Sequence, residues 1–256
     1  MGKLRVGALL VFALVSSLCT GQEITVAAAA DLQFAMQDVA ARFQKQTGKT
    51  VKLIYGSSGN FSQQIQNGAP FDMFFSANQD YPKQLEAAGL TEPGSYYRYG
   101  QGKIVIWVPQ DSKLNLNSGL KVLGDASVKK IAVANPEHAP YGQAAVAAMK
   151  RAGVYEQAKA KLVLGENISQ AASFVVSGAA DAGIVALSLA LSPNMKGKGR
   201  YAEIATSDYP AIEQACVILR TSKNKESAKE FLSFVKSQEV AEVLRQYGFE
   251  VQAASE

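Results

Sequence analysis

The chain contains one histidine, His138, in 256 residues. A Ser-His-Asp or Cys-His catalytic arrangement would have no other imidazole to use. It contains two cysteines, Cys19 and Cys216, so no Cys/His cluster with zinc-ligand spacing can form. There is no Walker A motif and no dinucleotide fingerprint. Carboxylates are dispersed, and no acid–base pair stands out. The formal charge is only +4, with no basic run, which excludes the electrostatic signature of a nucleic-acid binder. No internal repeat of fixed period is present. Beyond the first residues, no apolar run is long enough for a transmembrane helix.

What is present begins with a removable segment. Lys3 and Arg5 form a basic start, Val6 to Val15 a short apolar stretch, and Ser16, Ser17, Cys19 and Gly21 a zone of small residues. This pattern predicts a secretory signal peptide over residues 1–21, with cleavage after Gly21. Cys19 offers a lipid-anchored alternative, which the bulky Leu18 before it disfavours. Loss of Lys3 and Arg5 lowers the charge from +4 to +2. Cys216 then stands alone, in the apolar run Ala215 to Leu219, and is expected to be a small buried hydrophobe without a disulfide.

From residue 22 on, short apolar runs alternate with helical patterns. Ile24 to Ala29 reads as a strand, followed by a helix with Leu32, Met36, Val39, Ala40 and Phe43 on one face. Asp31 is placed as the N-cap of that helix. Val51 to Tyr55 is expected as a strand, Phe61 to Asn67 as a helix. Trp107, inside the apolar strand Lys103 to Val108, is expected in the core. The second half repeats the theme, and two helices end the chain, Glu226 to Lys236 and Glu239 to Tyr247. Such alternation predicts an α/β protein with mostly parallel sheets flanked by helices. The strands form two blocks, so two lobes are expected: residues 22–100 with 207–256, and residues 101–206. A ligand would lie in the cleft, at the carboxyl ends of strands.

Four strand-to-helix junctions carry small or hydroxylated residues: Ala28-Ala29-Ala30-Asp31, Gly56-Ser57-Ser58-Gly59, Ala139-Pro140-Tyr141-Gly142 and Glu166-Asn167-Ile168-Ser169. A helix start leaves N–H groups without partners and carries partial positive charge, so each junction can hold an anion without a cation. One junction is an ordinary cap. Two in each expected lobe, in an exported chain short of catalytic groups, suggest a solute-binding protein. The stretch Gly56 to Asn60 narrowly misses the Gly-x-Ser-x-Gly nucleophile elbow, because position 60 is Asn. A hydrolase using Ser57 or Ser58 would have to take His138 as its base.

The sequence also resembles a known family, the periplasmic molybdate-binding proteins of ABC transporters (the ModA family). The resemblance rests on Ile24-Thr25-Val26-Ala27-Ala28-Ala29-Ala30-Asp31-Leu32, Gly56-Ser57-Ser58-Gly59, Gln64-Ile65-Gln66-Asn67-Gly68-Ala69-Pro70-Phe71-Asp72 and Phe75-Ser76-Ala77-Asn78. Asn135-Pro136-Glu137-His138-Ala139-Pro140-Tyr141-Gly142, Ser177-Gly178-Ala179-Ala180-Asp181-Ala182-Gly183 and Arg245-Gln246-Tyr247-Gly248-Phe249 extend it to nearly the whole chain from Glu23 to Val251.

The resemblance implies a type II periplasmic-binding-protein fold. It implies a monomeric periplasmic receptor, not an enzyme, that takes molybdate or tungstate, needs no cofactor and delivers to a membrane permease. It places the oxyanion contacts on Ala30 or Asp31, Ser58, Tyr141 and Ile168, with all contacts made to oxyanion oxygens and none to the metal centre. Ser58 would donate its hydroxyl and N–H, Tyr141 its N–H and its hydroxyl, and Ile168 its N–H alone.

Two positions depart from the family pattern. Many members have serine at Asp31, and some have a tyrosine donor at Ala186, for which Tyr141 is the candidate replacement. A carboxylate facing a dianion would be repelled by roughly 1 kcal/mol at 4 Å in water, and by more in a drier site. Either Asp31 turns away to cap its helix, or it accepts a proton from a protonated oxyanion such as hydrogen phosphate.

Overall fold

The computed structural model describes residues 23–251. The expected signal peptide and Cys19 lie outside the described residues.

The first half runs β1 (Glu23–Ala29), α1 (Gln33–Thr47), β2 (Thr50–Gly56), α2 (Ser58–Gln66), β3 (Met73–Ser76), α3 (Asp80–Ala87), β4 (Tyr97–Gly102) and β5 (Ile104–Pro109). The second runs β6 (Ile131–Ala134), α4 (Pro140–Arg151), α5 (Tyr155–Ala158), β7 (Leu162–Gly165), α6 (Ile168–Val176), β8 (Ala182–Ala186), α7 (Leu187–Ala190) and β9 (Gly199–Glu203). The chain ends with β10 (Ile212–Ile218), α8 (Lys225–Val235) and α9 (Gln238–Gln246).

The described strands make two five-stranded sheets, ordered β2-β1-β3-β10-β4 and β7-β6-β8-β5-β9. In each, four strands run in one direction and the inserted strand, β10 or β5, runs antiparallel to both neighbours. The chain passes from the first sheet to the second at Lys103, between β4 and β5, and returns between β9 and β10.

Local chemistry sets these elements. Ala35, Met36, Val39, Ala40 and Phe43 form the buried stripe of α1 at three- and four-residue spacing. Gly48 then ends the helix at φ +72°, its N–H reaching back to the Gln44 carbonyl at 2.8 Å. The final helices pack on the first sheet's core. Phe231, Val235, Val240 and Leu244 share a cluster with Ile24, Met36 and Phe43, and the Phe43 and Phe231 rings meet edge-on at 5.0 Å. Cys216 and Trp107 are fully buried, as the sequence predicts. Burial pushes the Cys216 thiol well above its usual pKa, so it is inert.

Two features escape the periodicity. α2 starts at Ser58, three residues before the expected Phe61, because its first turn is polar and only Phe61 begins the buried stripe. A 3₁₀ segment over Leu116–Gly124, broken at Gly119 with φ +59°, buries Leu116, Leu120, Val122 and Leu123. Its turns are too short to carry a helical period.

Candidate functional site

The parallel strands β1, β2, β6 and β7 each lead into a helix or 3₁₀ turn, β6 by way of the loop 135–139, and these junctions converge. Ala30, Asp31, Ser58, Tyr141 and Ile168 all line one buried cavity of ≈ 10 Å³, together with Ser57 and Ala139. The space suits one water-sized particle, so a larger ligand requires the surrounding walls to part. No lysine, arginine or histidine lines it.

Each wall presents backbone donors for a local reason. Ser57 is the N-cap of α2 in extended conformation, yet its side chain makes no cap bond. Its Oγ lies 2.9 Å from His138 Nδ1 instead. The Gly59 N–H donates to the His138 carbonyl at 2.9 Å, which leaves the Ser58 N–H at the helix start. The Ser58 hydroxyl oxygen accepts the Ala77 N–H at 2.9 Å. An oxygen held as acceptor keeps its own proton for a second partner.

Helix α4 opens with Ala139 as N-cap and Pro140 at its first position, with no side-chain cap. Proline has no N–H to offer, so Tyr141 supplies the first free donor of this helix. In α6 the Asn167 side chain caps the Gln170 N–H at 3.1 Å, and Ile168 stands at the helix's first position. Ala30 and Asp31 sit in a single 3₁₀ turn between β1 and α1.

Asp31 corrects an expectation. It does not cap α1: neither the 3₁₀ turn nor the helix has a side-chain cap bond. The carboxyl group points into a buried polar network. Its Oδ2 accepts the Tyr141 hydroxyl at 2.8 Å and Gln214 Nε2 at 2.7 Å. The Tyr99 hydroxyl, from β4, lies 2.9 Å from Gln214 Oε1 and 3.1 Å from the Ser76 carbonyl, and its one proton serves one of them at a time. Asp31 Oδ1 is buried and has no hydrogen-bond partner. The residue is 1 % exposed. Burial pushes its pKa up from 3.8 to about 6, against the pull of the Gln214 and Tyr141 hydrogen bonds and the weaker influence of the nearby Asp31 and Leu32 backbone N–H groups.

The Tyr141 hydroxyl is thereby committed to Asp31, so what this residue has left for an anion is its N–H. Gln214 and Tyr99 belong to the network although the sequence pattern singles out neither for it. Gln214 is a fully buried amide in β10, next to the half-buried Glu213 and ahead of the apolar run from Ala215, and that buried polar position was the available signal. Ala186 is fully buried and carries no donor side chain.

Other bonds tie the two sheets together around the cavity. Ser188 donates to the Asp31 carbonyl at 2.8 Å. Ser169 Oγ lies 2.9 Å from the Ala30 carbonyl and 3.0 Å from Gln33 Oε1, and its proton serves one of them at a time. Glycine is required where backbones touch: a Cβ on Gly59 would stand 2.7 Å from the His138 carbonyl oxygen.

In chemical terms, the arrangement is a small space walled by helix starts, one free serine proton and one carboxyl oxygen. It can hold a small oxyanion through neutral donors. Among the described residues, no group of three or more His, Cys, Asp or Glu side chains could hold a metal ion. No described helix is long and apolar enough to cross a membrane.

Known proteins share this architecture. Residues 24–250 match the family described as bacterial extracellular solute-binding protein. The molybdate-binding protein ModA of Azotobacter vinelandii is 37 % identical over 236 residues, 91 % of this chain and 93 % of that protein. ModA of Rhodobacter capsulatus is 37 % identical over 89 % of this chain and 88 % of its own length. The solved structure of the Azotobacter vinelandii periplasmic molybdate-binding protein superposes with a TM-score of 0.84 at 32 % identity, covering 90 % of this chain and all of that one. The chain belongs to the bacterial extracellular solute-binding protein family, and within it to the ModA group.

Proposed function

We propose that this protein is the extracytoplasmic receptor of an ABC importer and captures molybdate. The observation that carries this reading is the convergence of Ser58, Tyr141 and Ile168, each at a helix start, with the Ala30–Asp31 turn on one buried cavity without a cation. The ModA relatives, molybdate-binding by name, support the choice of anion. Ser58 donates its hydroxyl and N–H, and Ala30 or Asp31, Tyr141 and Ile168 donate N–H groups. Tungstate, of the same shape and charge, is held the same way.

Two lobes, residues 22–100 with 207–256 and residues 101–206, close on the anion. Closure brings Ser169, Ser188 and His138 of one lobe onto Ala30, Asp31 and Ser57 of the other. The closed form is what a membrane permease recognises. The signal peptide over residues 1–21 exports the chain to the periplasm, where it works as a monomer, and it is a receptor rather than an enzyme. Neutral donors suit any tetrahedral oxyanion, so the size of the cavity once its walls have parted around the ligand separates molybdate and tungstate from sulfate.

Titration calorimetry with molybdate, tungstate, sulfate and phosphate tests this. Tight binding of the first two and weak binding of sulfate is expected. A second reading takes phosphate as ligand, with the unpartnered Asp31 Oδ1 accepting its proton. Tight phosphate binding with no molybdate binding would establish that reading and discard the first.

A further inference from the structure

We propose that Asp31 meets the oxyanion as a neutral carboxylic acid, so that each captured anion brings one proton from solvent into the site. The inference rests on the oxyanion reading above and adds a residue role to it.

The geometry divides the carboxyl group in two. Oδ2 is saturated by the Tyr141 hydroxyl at 2.8 Å and Gln214 Nε2 at 2.7 Å, both of which are donors toward it. Oδ1 has no partner, is buried, and belongs to a residue that lines the cavity with Ser58 and Ile168. An anion oxygen brought against a bare Oδ1 would place two acceptors together in a dry space, which is repulsive. A proton on Oδ1 turns the same contact into an O–H···O⁻ hydrogen bond, among the stronger kinds. The free carboxyl group is already poised for this, since burial raises its pKa to about 6. A nearby dianion raises it further.

The surroundings leave Asp31 as the group that responds. Tyr141 on α4 and Tyr99 on β4 both have hydroxyl pKa values pushed well above 10 by burial, and remain neutral. Gln214 on β10, Ser58 on α2 and Ser188 on α7 do not titrate in this range. His138 faces Ser57 rather than Asp31. No lysine or arginine lines the cavity to hold Asp31 ionised. The proton comes from the buffer and stays between Oδ1 and the anion; no covalent bond forms or breaks other than O–H. An acid in this position also disfavours hydrogen phosphate, whose own proton would meet a donor.

The test is molybdate calorimetry on the wild-type chain in buffers of different ionisation enthalpy, from about pH 5 to pH 8. The expected result is uptake of about one proton per anion near pH 8, falling toward zero near pH 5, with Kd rising about tenfold per pH unit above the pKa. Asp31→Asn supplies an amide N–H in place of the acid. It should bind molybdate with a Kd independent of pH and without proton uptake. Tight wild-type binding with no uptake at pH 8 would overturn the proposal, and so would uptake that persists in Asp31→Asn. An absence of molybdate binding at every pH would instead fail the oxyanion reading itself. The wild-type buffer series stands without the variant, should Asp31→Asn not fold.

Discussion

Ser57 Oγ and His138 Nδ1 lie 2.9 Å apart, one at the end of a first-sheet strand and the other in the loop leaving a second-sheet strand. This is the spacing of a nucleophile and its base, yet the bond joins the two halves of the molecule at the wall of the cavity. On the receptor reading it is a latch. His138→Ala should weaken molybdate binding about fivefold, the equivalent of one hydrogen bond of ~1 kcal/mol. Calorimetry checks this. Ester hydrolysis by the wild type that His138→Ala abolishes would show that the pair is catalytic instead.

The backbone beside the latch is less forgiving. A side chain at Gly59 would place its Cβ 2.7 Å from the His138 carbonyl oxygen and 3.0 Å from His138 Cα, both backbone atoms. Neither can yield like the end of a flexible side chain. Gly59→Ala should therefore keep the halves apart, with a loss of ~1–3 kcal/mol, or about fivefold to somewhat over a hundredfold in molybdate Kd. The thermal midpoint of each half should move little. Small-angle scattering with saturating molybdate should show a more open particle than the wild type. An unchanged affinity would mean that closure does not require this contact.

Much of this was legible in the sequence. The buried stripe of α1, the alternating strands and the four junctions follow from side-chain periodicity and small-residue clusters, and the cavity lining gathers those four junctions. What periodicity could not reach were contacts between distant segments. Asp31 looked like a cap because its neighbours in sequence form a helix. Its real partners, Tyr141 and Gln214, are 110 and 183 residues away. A local rule lost to a tertiary network that satisfies one carboxyl oxygen twice and leaves the other bare.

That network predicts the behaviour of Tyr141→Phe. The Tyr141 hydrogen bond favours the ionised carboxylate and so lowers the Asp31 pKa, against the larger effect of burial. Its removal leaves Gln214 as the one side-chain donor on Oδ2 and raises the pKa further. Folding stability should fall by about 1–2 kcal/mol from the lost buried hydrogen bond. Molybdate binding survives, because the Tyr141 N–H is untouched. With Asp31 bound as its acid, the pH above which affinity declines should move upward from its wild-type position. A pH profile of Kd for both proteins reads the shift. An unmoved breakpoint would detach Tyr141 from the titration.

The raised Asp31 pKa also makes a prediction for the empty protein. The folded carboxyl group, with pKa about 6, holds its proton more tightly than the unfolded one, near 3.8. Protons therefore favour the folded state between these values. The contribution is fully present below pH 3.8 and is lost as pH rises through about 6. A shift of this size corresponds to about 3 kcal/mol. Asparagine at this position carries no charge at any pH, so it escapes the loss. The difference in unfolding free energy between Asp31→Asn and wild type, measured by denaturant titration without oxyanion, should move in favour of the variant by about 2 kcal/mol from pH 4 to pH 7, the part of the full shift that falls in that window. Taking the difference cancels the surface ion pairs, which titrate alike in both proteins. A difference that stays flat with pH would show that Asp31 folds with an ordinary carboxylate, and the poised acid at the cavity wall would go with it.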